Sequence, residues 1–243
     1  MRIPVAWLAL VPAVAAAGEL AFSSGPAQTA LLELFTSEGC SSCPPAERWL
    51  ADRRGDPGLW KDFVPVAWHV TYWDDLGWRD RFAQRAFTDR QYAYARAWNS
   101  DSVYTPCFVR NGREWKRGPI MPDTTRTGVL RTRYDPLSGA LQVDFVPAAG
   151  APATHLVAHA ALLGGGVVSQ VRAGENAGRT LEHDFVALAV AEQALTAAAG
   201  ADRATLSLPP EAGAGTPRRA LAVWVTRRGE LAPVQATGGW LGN

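Results

Sequence analysis

The most restrictive feature of this chain is one junction: the apolar run Ala30-Leu31-Leu32-Glu33-Leu34-Phe35, the turn-like Ser37-Glu38-Gly39, then Cys40-Ser41-Ser42-Cys43-Pro44-Pro45. The apolar run reads as a buried strand. The two prolines read as the first turn of a helix, where the missing N–H donors have no partner in any case. Ala46, Trp49 and Leu50 share one face of that helix, which ends near Arg53-Arg54-Gly55-Asp56-Pro57-Gly58. Two cysteines three residues apart close almost no loop, so a bridge between them constrains the unfolded chain very little. The spacing therefore favours a redox pair or a metal site over a structural staple. At a strand-to-helix turn, unpaired N–H groups and the positive end of the helix dipole favour a thiolate at Cys40. Cys43, one turn further in, is placed to attack a mixed disulfide formed there.

The pattern continues as alternating α/β sequence. Phe63–Trp68 reads as a second strand, although Pro65 argues against a central place in a sheet. Residues 70–87 form an aromatic and charged insert. Thr88-Asp89-Arg90-Gln91 matches a capping box and opens a helix through Tyr92, Ala95 and Trp98. Tyr104-Thr105-Pro106-Cys107-Phe108-Val109-Arg110-Asn111-Gly112-Arg113 reads as a strand and an Asn-Gly hairpin. Beyond residue 118 only Trp224 and Trp240 remain of ten tryptophans, and short alternating runs with glycine and proline between them take over. These are 128–134, 140–146, 155–163, 181–190, 204–208 and 220–226, the pattern of an antiparallel sandwich.

Arg2, the apolar stretch from Ile3 to Val14 and the small residues Ala15-Ala16-Ala17 match a secretory signal cleaved before Gly18. An uncleaved anchor is the other reading, but the run is shorter than the roughly 20 apolar residues of a spanning helix. The expected location is thus periplasmic or secreted, where disulfides persist, with no membrane span after cleavage. With 24 basic against 23 acidic side chains the net charge is +1, which leaves no footprint for nucleic acid. Phosphate-loop, dinucleotide and zinc-protease motifs are absent from the sequence, and Ser41 and Ser42 lack a nucleophile-elbow context.

From Glu33 to Cys43 the chain resembles the first central strand and active-site turn of the thioredoxin superfamily, and Thr105-Pro106 with the following hairpin resembles its cis-proline strand. More narrowly, the sequence resembles a family of secreted bacterial thioredoxin-like proteins known as domain of unknown function 1223. The shared phrases are 33–37, 39–45, 69–74, Leu76-Gly77-Trp78, Tyr104-Thr105-Pro106 and Gly174-Glu175-Asn176-Ala177-Gly178-Arg179-Thr180-Leu181. After the signal peptide read at 1–17, the resemblance implies an α/β thioredoxin-like domain at 25–118 and a β-rich, sandwich-like domain at 119–243. It implies a cis bond at Pro106, which would lie against the cysteines and shape a substrate groove. Cys107 departs from the family pattern.

The expected activity is thiol–disulfide oxidoreduction of periplasmic proteins, with Cys40 as nucleophile, Cys43 as resolving thiol and no cofactor beyond their disulfide. Glu33 is either a buried general base or a strand carboxylate in a salt bridge. Thr105, Tyr72, Trp73 and Trp78 are candidate substrate contacts; the aromatics are equally suited to a covering loop. The rival reading is a Cu(I)-binding module using Cys40 and Cys43 with His69 or Cys107; a redox-inactive interaction scaffold is a third. His69 and Cys107 also have structural readings, as a hydrogen-bonded histidine and a small buried hydrophobe. His155, His159 and His183 lack partner spacing and read as structural.

Overall fold

The computed structural model describes residues 18–151, 154–198 and 200–242. The expected signal peptide lies outside the described residues. In chain order the first strands and helices are β1 (Leu20–Ser23), β2 (Ala30–Thr36), α1 (Pro44–Ala51), β3 (Phe63–His69), α2 (Arg85–Ala97), β4 (Cys107–Arg110) and β5 (Arg113–Glu114). There follow β6 (Gly128–Tyr134), β7 (Ala140–Pro147), β8 (Leu156–Gly165), β9 (Val167–Gln170), β10 (Thr180–His183) and β11 (Val186–Ala194). The last are β12 (Thr196–Ala198), β13 (Ala201–Ser207), β14 (Arg218–Arg227) and β15 (Pro233–Trp240).

This architecture corrects the expected α/β thioredoxin-like domain followed by a β-rich one. The structure is 44% strand and only 13% helix. Strands from before and after residue 118 join one eight-stranded sheet, ordered β15-β14-β8-β11-β3-β2-β4-β5. The β-rich character of the second half does appear, because β1-β6-β7-β13-β12 form a separate five-stranded antiparallel sheet.

Local sequence explains the elements. Every residue of β2 and β3 is buried, as continuous apolar runs covered on both faces should be. Pro65 is accommodated in central β3 because pairing with β11 is confined to Val186 opposite Ala67. The Ala67 amide bonds to Phe185 on that side, and Pro65, two residues earlier, faces the same margin where no ladder runs. In β14, Ala220, Ala222 and Trp224 enter one core cluster and Leu221, Val223 and Val225 enter another. The two-residue side-chain period thus lets one strand serve two cores, one over the helices and one under the five-stranded sheet.

Candidate functional site

The turn after β2 winds directly into α1. The Cys40 amide donates to the Ser37 carbonyl at 3.2 Å, that of Cys43 to Cys40 at 3.2 Å, and those of Ala46 and Glu47 to Cys43 at 2.9 and 3.1 Å. Cys43 is therefore the N-cap, with prolines filling the first helical positions. Gly39 is required here: a Cβ would lie 2.9 Å from the Trp73 Cβ. Cys40 and Cys43 form a disulfide with Cα atoms 5.4 Å apart. Neither cysteine has exposed surface, whereas Ser41 and Ser42 between them are exposed.

A roof is supplied by the loop between β9 and β10. The Asn176 Nδ2 donates to the carbonyls of Glu38 and Cys40, both at 2.9 Å, while Arg179 donates to its Oδ1 at 2.6 Å. Glu175 accepts from the Ser41 amide at 3.0 Å, and the Ser41 side chain together with that amide lowers its pKa. Gly77 and Gly174, both at positive φ, let the two family phrases they belong to approach closely: a Cβ on Gly77 would sit 3.4 Å from the Gly174 Cα.

Beneath the turn lies a buried cluster of carboxylates and imidazoles. Asp80 Oδ2 binds His69 Nδ1 at 2.6 Å and accepts the Glu38 amide at 2.8 Å. Glu47, one helical turn after Cys43, accepts from Thr36 at 2.5 Å and bonds to His183 Nδ1. His183 Nε2 approaches Glu38 Oε1 at 3.2 Å, close enough for an ion pair but misaligned for a hydrogen bond. Burial alone would depress the His183 pKa; Glu47 and Glu38 outweigh it and push it up to about 10. In the same way burial raises the Glu47 and Glu38 carboxyls, but both end lowered: His183 with His69 and Thr36 outweighs it at Glu47, and His183 with Ser169 and Trp78 at Glu38. For Asp80 burial is overcome by His69, bringing it down to about 2.

The other expected site residues divide between the two faces of the large sheet. Thr36 and His69 are paired neighbours on the α1 face. Phe35 lies opposite both Trp68 and Cys107 and meets Tyr94 of α2 edge-on, which places Cys107 on the α2 face. Glu33 is on that face too, fully buried, accepting from Arg90 at 2.6 Å, Trp68 at 2.9 Å and Tyr94 at 2.5 Å. It has the salt-bridge environment rather than a free carboxylate. Cys107 is an unbridged buried thiol whose pKa burial pushes up to about 11. Among the described residues, one group of three potential ligands gathers within 4.8 Å, Glu47, His69 and His183; it includes His69 but no cysteine.

The Thr105–Pro106 bond is cis. Because β4 begins at Cys107 opposite Phe35, near the end of β2, Pro106 sits at the sheet end where the cysteine turn emerges. It lines a cleft of about 220 Å³ with Tyr104, Phe108 and Glu114. Trp73 donates to Thr105 at 2.8 Å, and Tyr72 donates to Gln91, which in turn holds the Tyr104 carbonyl at 2.7 Å. Burial raises the Tyr72 pKa to about 12. Trp78 donates to Glu38 at 2.7 Å. All three aromatics are half-buried and tie the 70–87 insert to the site.

Sequence reasoning passed over Glu38, Glu47, Asp80, Glu175, Asn176 and the role of His183. Two signals were available: Glu175 and Asn176 fall within a family phrase, and Glu47 lies one helical turn beyond Cys43. The class so defined is a predominantly β protein with a roofed Cys-x-x-Cys disulfide at a strand-to-helix turn. The chain belongs to the family described as protein of unknown function, DUF1223, which matches residues 31–226. A crystal structure of an Agrobacterium tumefaciens protein is similar at 25% identity and a TM-score of 0.59, over 89% of this chain and 96% of that one. HBP35 of Porphyromonas gingivalis shares the fold at a TM-score of 0.59 and 14% identity, over 89% of this chain and 76% of that one. No curated protein matches the sequence. Among the described residues no helix is long and apolar enough to cross a membrane.

Proposed function

We propose that this protein catalyses thiol–disulfide exchange with protein substrates through Cys40 and Cys43, in an exported setting. The observation that carries the reading is the disulfide itself, which closes a separation of only three residues at the capped start of α1. Such a bridge contributes little as a staple, while the positive end of the α1 dipole favours a thiolate released there.

In the exchange, a substrate thiolate attacks the Cys40 sulfur. The Cys40–Cys43 bond breaks, its electron pair leaves on Cys43, and a substrate–Cys40 mixed disulfide forms. A second substrate thiolate then attacks the substrate sulfur of that bridge and releases Cys40 as a thiolate. The substrate dithiol loses two electrons and two protons, and the cysteine pair takes up the electrons; the reverse sequence reduces a substrate disulfide. Pro106 edges the cleft in which an extended substrate would lie, with Thr105 beside it in the chain, and the exposed Ser41 and Ser42 lie on the side of approach.

Cys40→Ser should abolish exchange in an insulin-reduction or dithiol-oxidation assay, and Cys43→Ser should accumulate mixed disulfides visible by mass spectrometry. Wild-type activity in both variants would contradict the reading.

A further inference from the structure

Glu47, His69 and His183 come from three separate elements, α1, β3 and β10, and a ligand-type atom of each lies within 4.8 Å of the other two. All three side chains are buried. Asp80 occupies the Nδ1 of His69 and leaves its Nε2 buried with no hydrogen-bond partner. Glu38 Oε1 and His183 Nε2 are likewise buried without a hydrogen bond, 3.2 Å apart. The His69 nitrogen carries the desolvation of a polar group that nothing returns, whereas Glu38 and His183 keep their mutual attraction. The free Nε2 of His69 is thus a buried, unpaired atom of the type that ligates a cation, on a residue grouped with Glu47 and His183.

We propose that Glu47, His69 and His183 bind a divalent metal ion of borderline softness, with Zn²⁺ as the type. Imidazole and carboxylate donors suit this class. A carboxylate holding the far nitrogen of an imidazole, as Asp80 holds His69, is the usual way a metal-bound histidine is oriented. Without metal, Glu47 and His183 satisfy one another directly, and the ion would take the place of that contact. The site needs neither cysteine and so stands apart from the exchange reaction. Its Glu47 nevertheless hangs from the helix that Cys43 caps, so a bound ion would brace the turn carrying the disulfide.

The test uses the full chain with its disulfide intact, stripped with a chelator and dialysed. Competition against a chromogenic chelator should find one Zn²⁺ per chain, in wild type and in the Cys40→Ser/Cys43→Ser protein alike. His69→Gln should weaken binding at least about 100-fold and Asp80→Asn by about 10–100-fold. Circular dichroism checks that each variant is folded. Anomalous scattering from zinc-soaked crystals locates the metal without any variant and should find it between His69 and His183. Absence of stoichiometric zinc in the wild type, unchanged affinity in folded His69→Gln, or a metal located elsewhere would overturn the proposal.

Discussion

A histidine held between two buried carboxylates has its charge decided by them. His183 is nine-tenths buried or more, which by itself favours the neutral ring, yet Glu47 and Glu38 carry its pKa from 6.5 to about 10. A raised folded-state value stabilises the protein fully below the unfolded pKa and loses that contribution as pH climbs to the folded one. For the metal-free protein the stabilisation from His183 is therefore complete below about 6.5 and fades towards pH 10. Asp80 works in the opposite sense: its pKa falls from 3.8 to about 2, so its contribution is complete above 3.8 and is lost as pH drops to about 2. Urea unfolding in the presence of a chelator should show stability declining by a few kcal/mol between pH 6.5 and 10. His183→Gln should abolish most of that decline; an identical pH profile in the variant would contradict the charge assignment. The sequence made Glu33 legible as a buried strand carboxylate, with its partner left open between two roles. Arg90, 57 positions away, settles the environment. The pairing of His183 with Glu47 was not legible because it joins chain segments 136 residues apart, and that of Asp80 with Glu38 because it spans 42.

Among the elements, β2, α1, β3 and the β4–β5 hairpin follow closely from apolar runs, proline placement and the Asn-Gly turn. The β9–β10 hairpin was not resolved as such: the run expected at 181–190 is split by Asp184 and Phe185, and the latter adopts a left-handed φ of 59°. Periodicity over so short a span does not reveal this break. That hairpin matters because its loop roofs the disulfide, and Asn176 supplies two hydrogen bonds to the carbonyls of the turn. Exchange at a cysteine with no exposed surface requires the roof to lift. Asn176 contributes two of the hydrogen bonds that hold it down, about 0.5–1.5 kcal/mol each, so Asn176→Ala should speed reduction of the disulfide by dithiothreitol about tenfold or more. Equal rates in wild type and variant would show that the loop does not limit access.

At the scale of the whole molecule, the sequence conveyed which stretches are strands better than which strands pair. A two-residue period reports the face a strand buries, but not its neighbour. Nothing in Phe63–His69 announces that its free side meets Val186, and this one contact joins the cysteine-bearing strands to β11 and, through it, to β8 and β14. The expected separation into a thioredoxin-like layer and a sandwich gives way to a shared sheet for that reason. The cysteine turn was legible because strand, glycine, cysteines and prolines are contiguous; its roof and its buried cluster were not, because the large sheet assembles them from distant segments. The central claim, that Cys40–Cys43 is an exchanging pair rather than a fixed bridge, is tested most directly by its reduction potential, measured by alkylation trapping in defined glutathione or dithiothreitol buffers. The account predicts one reversible two-electron transition with a midpoint between about −270 and −120 mV, the span of catalytic pairs. A midpoint below about −300 mV, where structural disulfides lie, would contradict it.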